Sequence, residues 1–221
     1  MTGLGMSSLS PGGPLSFSTS ALAPVWQLNA RFLEALVVSA SRPEWIGSSW
    51  EAALGAGLAD TPPDALSELS RCPVSLVDAA LTDFAAVGFH MALEGGSVRE
   101  PHRFMQPCVA IELAQLTLTL AWTLSRSDPV AASVIFGLSP LQAGGLARLP
   151  MQIIPAVADR LAGKLRPRWM SQPRIWSRLL RNAKHSPSSR FAPLCVRVLQ
   201  RQFSDLAPAT FATCPIRDLR R

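Results

Sequence analysis

Tyrosine is missing from the 221 residues, histidine occurs three times, and runs of β-branched residues are sparse. Leucine and alanine dominate instead, which favours helix throughout and excludes a fold built on extended sheet. Catalytic signatures are lacking too. No G-x-x-x-x-G-K-[ST], G-x-G-x-x-G, G-x-S-x-G or H-E-x-x-H occurs. His90, His102 and His185 sit in separate segments without acidic or cysteine neighbours at useful spacing. His90 reads as a packed core residue, His102 as part of a loop, and His185 as a member of a basic patch. Activity needs a converging constellation, so the chain reads as a non-enzyme.

Cysteine is scarce and scattered. Cys72, Cys108, Cys195 and Cys214 form no C-x-x-C pair and have no histidine at ligand spacing, so buried free thiols are favoured over a zinc site. No metal or cofactor is expected. The opening stretch, MTGLGMSSLSPGGPLSFSTS, lacks a charged n-region before an apolar core and reads as an unstructured Gly/Ser/Pro tail over residues 1–23. The longest apolar run, 109–124, is short for a bilayer span and carries Glu112, Gln115 and three threonines. It reads as a buried helix, and the expected location is the cytoplasm.

What the chain does have is charge, unevenly placed. Residues 1–159 hold 7 basic and 13 acidic side chains, a net of −6. Residues 160–221 hold 14 basic and 2 acidic ones, a net of +12, and the two parts sum to +6. Arginine supplies twelve of those fourteen cations, and its planar, permanently charged fork suits phosphate better than lysine does. Such an asymmetry points to a polyanionic partner: nucleic acid, an acidic protein or an acidic membrane surface.

Periodicity and punctuation predict an all-α, multi-helix bundle with a helix-turn-helix-like central segment and a basic C-terminal third. An N-terminal helical subdomain spans 24–100, a core with a basic helix spans 101–185, and a basic segment covers 186–221. Helices are expected over 24–42, where Pro43 ends the pattern, over 48–60 until the glycines dissolve it, over 61–71, over 72–93 and over 108–126. The loop 94–107, with Gly95, Gly96, Pro101 and Pro107, marks the boundary. Asp128-Pro129 and Ser139-Pro140-x-Gln142 are helix starts on either side of Gly137. Helices 128–136, 140–147 and 151–165 then make the helix-turn-helix-like core, with Pro155 bending or resetting the last. Amphipathic segments follow at 165–185 and 189–203.

Residues 111–181 resemble the FlhD family of flagellar master regulators. The likeness is carried by Leu113, Leu116, Leu120 and Ala121 on a long apolar helix and by Arg126 and Asp128 at a polar step. Ala132, Phe136, Gly137, Leu138 and Ser139 follow at a turn, then Ala143, Leu146, Leu149 and Ala158. The turn reads Ile135-Phe136-Gly137-Leu138, without the arginine usual in that family. The resemblance implies a transcriptional regulator that associates with DNA as an oligomer, homo- or hetero-, acting with an FlhC-like partner. The contacts to DNA phosphate would come from Arg160, Lys164, Arg166, Arg168, Arg174, Arg178, Arg181 and Lys184. A helical accessory or adaptor protein of a type III secretion or conjugation system fits the same composition. A third reading is a membrane-surface protein, using 172–184 and 190–203 with Trp169 and Trp176 at the interface.

Overall fold

Alanines recur on one helical face of the most apolar stretch of the chain, and the other helices gather on that face. A computed structural model describes residues 19–40, 49–81 and 105–185, of which 76% are helical. Its central core element is helix α4, Pro107–Ser127; we number the elements along the chain as they are introduced. Ala110, Leu113, Ala114, Thr117, Leu118, Ala121 and Ser125 form its buried stripe, at the i, i+3, i+4, i+7 positions of one helical face. The small residues let neighbouring helices come close. Helix α7, Ile154–Ala162, packs along this stripe with α5 (Pro129–Phe136), α6 (Pro140–Ala147) and α1 (Thr19–Ala40) around it. At 21 residues α4 is long and apolar enough to cross a bilayer, about 30 Å at 1.5 Å per residue. The sequence reading of this run as too short is thereby corrected: Pro107 and Ser127 lie outside the apolar run but inside the helix. Its packed face and its exposed Glu112, Gln115 and Arg126 give it the character of a core helix.

The short helices start where their caps put them. Asp128 Oδ1 accepts from the Ala131 N–H at 2.9 Å, with Pro129 in the first turn. Gly137 ends α5 in the left-handed region, φ 72°, a conformation that costs residues with a Cβ about 1 kcal/mol or more. Ser139 and Gln142 close a reciprocal capping box, at 3.2 Å and 2.7 Å. Helices α5 and α6 meet at a bend of 115° across Gly137-Leu138-Ser139, inside the range of a helix-turn-helix. Pro155 resets the next segment, which runs as a 3-10 turn over Met151–Ile153 before α7 begins.

The N-terminal half departs from expectation in three places. Helix α1 begins at Thr19 and contains Pro24, so the last residues of the supposed tail are helical. Helix α2, Ser49–Ala59, continues through Gly55 and Gly57, because Leu54 and Leu58 are buried and tertiary packing outweighs the glycines' low propensity. Helix α3 follows at Pro63–Ser70. Of the expected helix 72–93 the described part is 72–81, and residues 72–80 of it are not helical. It runs extended from Cys72 to strand β1, Val77–Asp78, which pairs antiparallel with β2, Arg166–Pro167, in the register Val77 to Pro167 and Asp78 to Arg166.

The cause is Asn29, a fully buried residue on α1. Its Nδ2 donates to the carbonyls of Ser70, Cys72 and Val74 at 3.0–3.2 Å, and its Oδ1 accepts from the Leu76 N–H at 2.8 Å. Main-chain groups held this way are withdrawn from an i→i−4 ladder. Helix α8, Pro173–His185, closes the structure by laying Trp176, Leu179, Leu180 and Ala183 against α2 and α3. A Cβ on Gly57 would lie 3.1 Å from Leu180 Cδ1, so the glycine admits α8 at close range. One hydrophobic cluster takes residues from Val25 to Ala183, and the portions before and after residue 100 share it. The expectations for residues 1–18, for the helix end at Pro43, for 82–93 with His90, for the loop 94–104 with His102 and for the basic segment 186–221 lie outside the described residues.

Candidate nucleic-acid interface

Helix α8 is the most strongly amphipathic element of the fold in plain chemical terms. One side is Trp176, Leu179, Leu180 and Ala183, all buried. The other is Arg174, Arg178 and Arg181, all exposed. Their i, i+4, i+7 spacing sets three guanidinium groups on one ridge about 10 Å long. Among the described residues none of the three has an acidic partner. His185 extends the same ridge, its ring Nδ1 2.9 Å from the Arg181 carbonyl. No acidic residue occurs from 160 to 185. Arg174 also stands in the first turn of α8, where the helix dipole is already positive, an arrangement that costs up to about 1 kcal/mol until an anion arrives.

The eight cations singled out from the sequence do not form one surface. Lys184 donates to Asp60 at 2.7 Å and so ties α8 to the end of α2. That contact holds the exposed Asp60 carboxyl below its ordinary range, first through the hydrogen bond and then through the charge. Arg166 pairs with Asp78 at 2.9 Å across the β1–β2 ladder. Arg160 is half-buried in the last turn of α7, and Lys164 is exposed just beyond it.

Arg168 is the correction. It is 9% exposed, and its Nη1 donates to the carbonyls of Ile135 and Ser75 at 2.6 Å and 3.2 Å. Burial pushes its guanidinium down to about 10, with Asp78 and Cys72 acting in the opposite direction. An interior cation satisfied by carbonyls cannot reach a phosphate, so Arg168 leaves the contact set. Spacing in sequence could not separate it from its exposed neighbours, because its environment comes from residues 33 and 93 positions away.

Trp176 is likewise removed from the surface. It is fully buried and donates through Nε1 to the Arg168 carbonyl at 2.5 Å, which takes away one of the two aromatic anchors of the membrane-surface reading. Trp169 lies half-buried, 5.4 Å from the Arg168 guanidinium.

The second helix of the helix-turn-helix carries no base-reading set. Helix α6 presents Leu141, Gly144, Gly145 and Ala147, and the amide oxygen of Gln142 is spent on its cap. Bidentate readout of base edges needs arginine, asparagine or glutamine free in the groove. A half-open cavity of about 190 Å³ between α1 and α4 is edged by Arg31, Glu34 and Glu112, with Arg31 on Glu112 at 3.1 Å. Its acidic balance repels a polyanion. No three His, Cys, Asp or Glu side chains converge on a metal position among the described residues. No protein-family model, no curated protein and no solved structure matches the chain.

Proposed function

We propose that the protein is a DNA-associated transcriptional regulator that holds the phosphate backbone through α8 and acts with a partner protein in the cytoplasm. One observation carries the reading: Arg174, Arg178 and Arg181 stand exposed on one ridge with no acidic partner among the described residues. Three unneutralised arginines on a helix anchored by its other face make a preformed phosphate-binding row. The 115° hairpin of α5 and α6 supplies a helix-turn-helix frame without base-reading side chains, so the contacts made by this chain are insensitive to sequence. Sequence selection then belongs to the partner protein. Fluorescence anisotropy on two unrelated duplexes tests this. Both should bind with similar affinity, and affinity should fall steeply as salt rises. Absence of binding at low salt, or binding indifferent to salt, refutes it.

A second reading is a helical adaptor of a secretion or conjugation system. What favours it is Leu141, 84% exposed at the start of α6, with Val130 and Met151 each 58% exposed. Apolar side chains in the open are what a protein partner covers. Stable co-purification with a secretion component, in place of DNA, would support it over the first.

A further inference from the structure

The basic ridge is only as well placed as the helix that bears it, and the start of α8 is fixed by the residue that follows β2. Arg168 precedes α8 and follows β2 directly. Its main-chain N–H donates to the Leu76 carbonyl at 2.8 Å, beside β1. Its side chain reaches the Ile135 carbonyl in the last turn of α5, the first helix of the helix-turn-helix, and the Ser75 carbonyl. The carbonyls at that helix end carry the negative end of the helix dipole, which is what an interior cation without a touching carboxylate requires. The Ser75 N–H donates to the same Ile135 carbonyl at 3.0 Å. The Arg168 carbonyl in turn accepts from Trp176, the largest fully buried side chain of α8.

Four hydrogen bonds therefore meet at one residue, from three separate parts of the fold. The next residue, Trp169, is held at φ 58°, a left-handed conformation costly outside glycine. A backbone kept there is one that its surroundings over-determine.

We propose that Arg168 is the positioning residue of the basic ridge: it locks the start of α8 to the C-terminal end of α5 and so sets where Arg174, Arg178 and Arg181 stand. The proposal rests on the phosphate-binding reading of that ridge. Arg168 never meets the ligand. It acts through Trp176 and through the turn that leads into α8.

Positioning and direct binding leave different marks on the salt dependence of duplex affinity. Each phosphate that is no longer neutralised lowers the slope of log affinity against log salt by about 0.9. Arg178→Gln removes one exposed guanidinium and should lower it by about one. Arg168→Met removes one charge from the interior, yet should lower the slope by about two to three, because three arginines are displaced together. Arg168→Lys keeps a cation near the carbonyls and should restore part of the slope. Trp176→Phe removes the indole donor together with part of the buried ring and should lower the slope without changing net charge.

Hydrogen exchange on the same variants is the second measurement. Amides of Pro173–His185 should exchange faster in Arg168→Met and Trp176→Phe, while those of Pro107–Ser127 stay protected. A slope change of about one or less in Arg168→Met, or unaltered α8 exchange in both variants, overturns the proposal. Should Arg168→Met fail to fold, Trp176→Phe decides on the same two readouts. If the wild-type protein binds no duplex, the ridge reading falls, and the exchange data alone then show whether Arg168 anchors α8.

Discussion

Asn29 is a polar side chain in the middle of an apolar stripe, flanked by the buried Val25, Leu28, Phe32, Leu33 and Leu36. Its amide alone holds four main-chain groups, those of Ser70, Cys72, Val74 and Leu76. Asn29→Leu should therefore destabilise the fold by about 3–5 kcal/mol, since each buried group left unsatisfied costs about 1–3 kcal/mol. Asn29→Asp should be no milder, because a carboxylate would face three carbonyls. Urea denaturation of the two variants checks both. The job of this position was not legible in the sequence, because its partners lie 41 to 47 residues away. Asp60 offers a residue-scale test of the α2–α8 contact. Its folded pKa is lowered, so the contact is present above the unfolded value of 3.8 and fades as pH falls through the folded one. Carbon-detected NMR should find its midpoint below 3.8 in the wild type and back near 3.8 in Lys184→Met.

Among the elements, the legible ones are those whose cause is local. The caps of α5 and α6 are read from a few consecutive residues each, and the structure forms them as the sequence implies. Asp128→Ala and Ser139→Ala should each cost about 1 kcal/mol. Gly137→Ala should cost a similar amount, since the added Cβ meets a left-handed backbone, with Gly137→Asn milder. Differential scanning calorimetry would show each as a lowered melting temperature. Strand β1 illustrates the opposite case. Val74, Val77, Ala80 and Leu81 fall at spacings a helix could use, but β1 exists because β2 pairs with it while Asn29 holds the main-chain groups of the stretch that leads into it. Nothing in the residues around β1 announces a partner near residue 167. The passage of α2 through two glycines is similar, because the reward is Leu180 arriving from the far end of the fold.

Across the whole molecule, charge is partitioned and then partly spent. A net of +12 from residue 160 onward offers more cations than a surface uses: Arg166 and Lys184 pin acidic residues, and Arg168 works inside the fold. The candidate site was legible as a region but not as a set, because pairing and burial are tertiary properties. What survives on α8 is the row Arg174, Arg178 and Arg181. The most direct measurement is duplex binding by the triple variant Arg174→Gln, Arg178→Gln, Arg181→Gln beside the wild type, followed from about 50 to 200 mM salt. Binding should weaken alike on unrelated sequences and the salt slope should shrink by about 2.7, while the melting temperature holds. An unchanged slope in a folded triple variant would contradict the assignment of this row to phosphate.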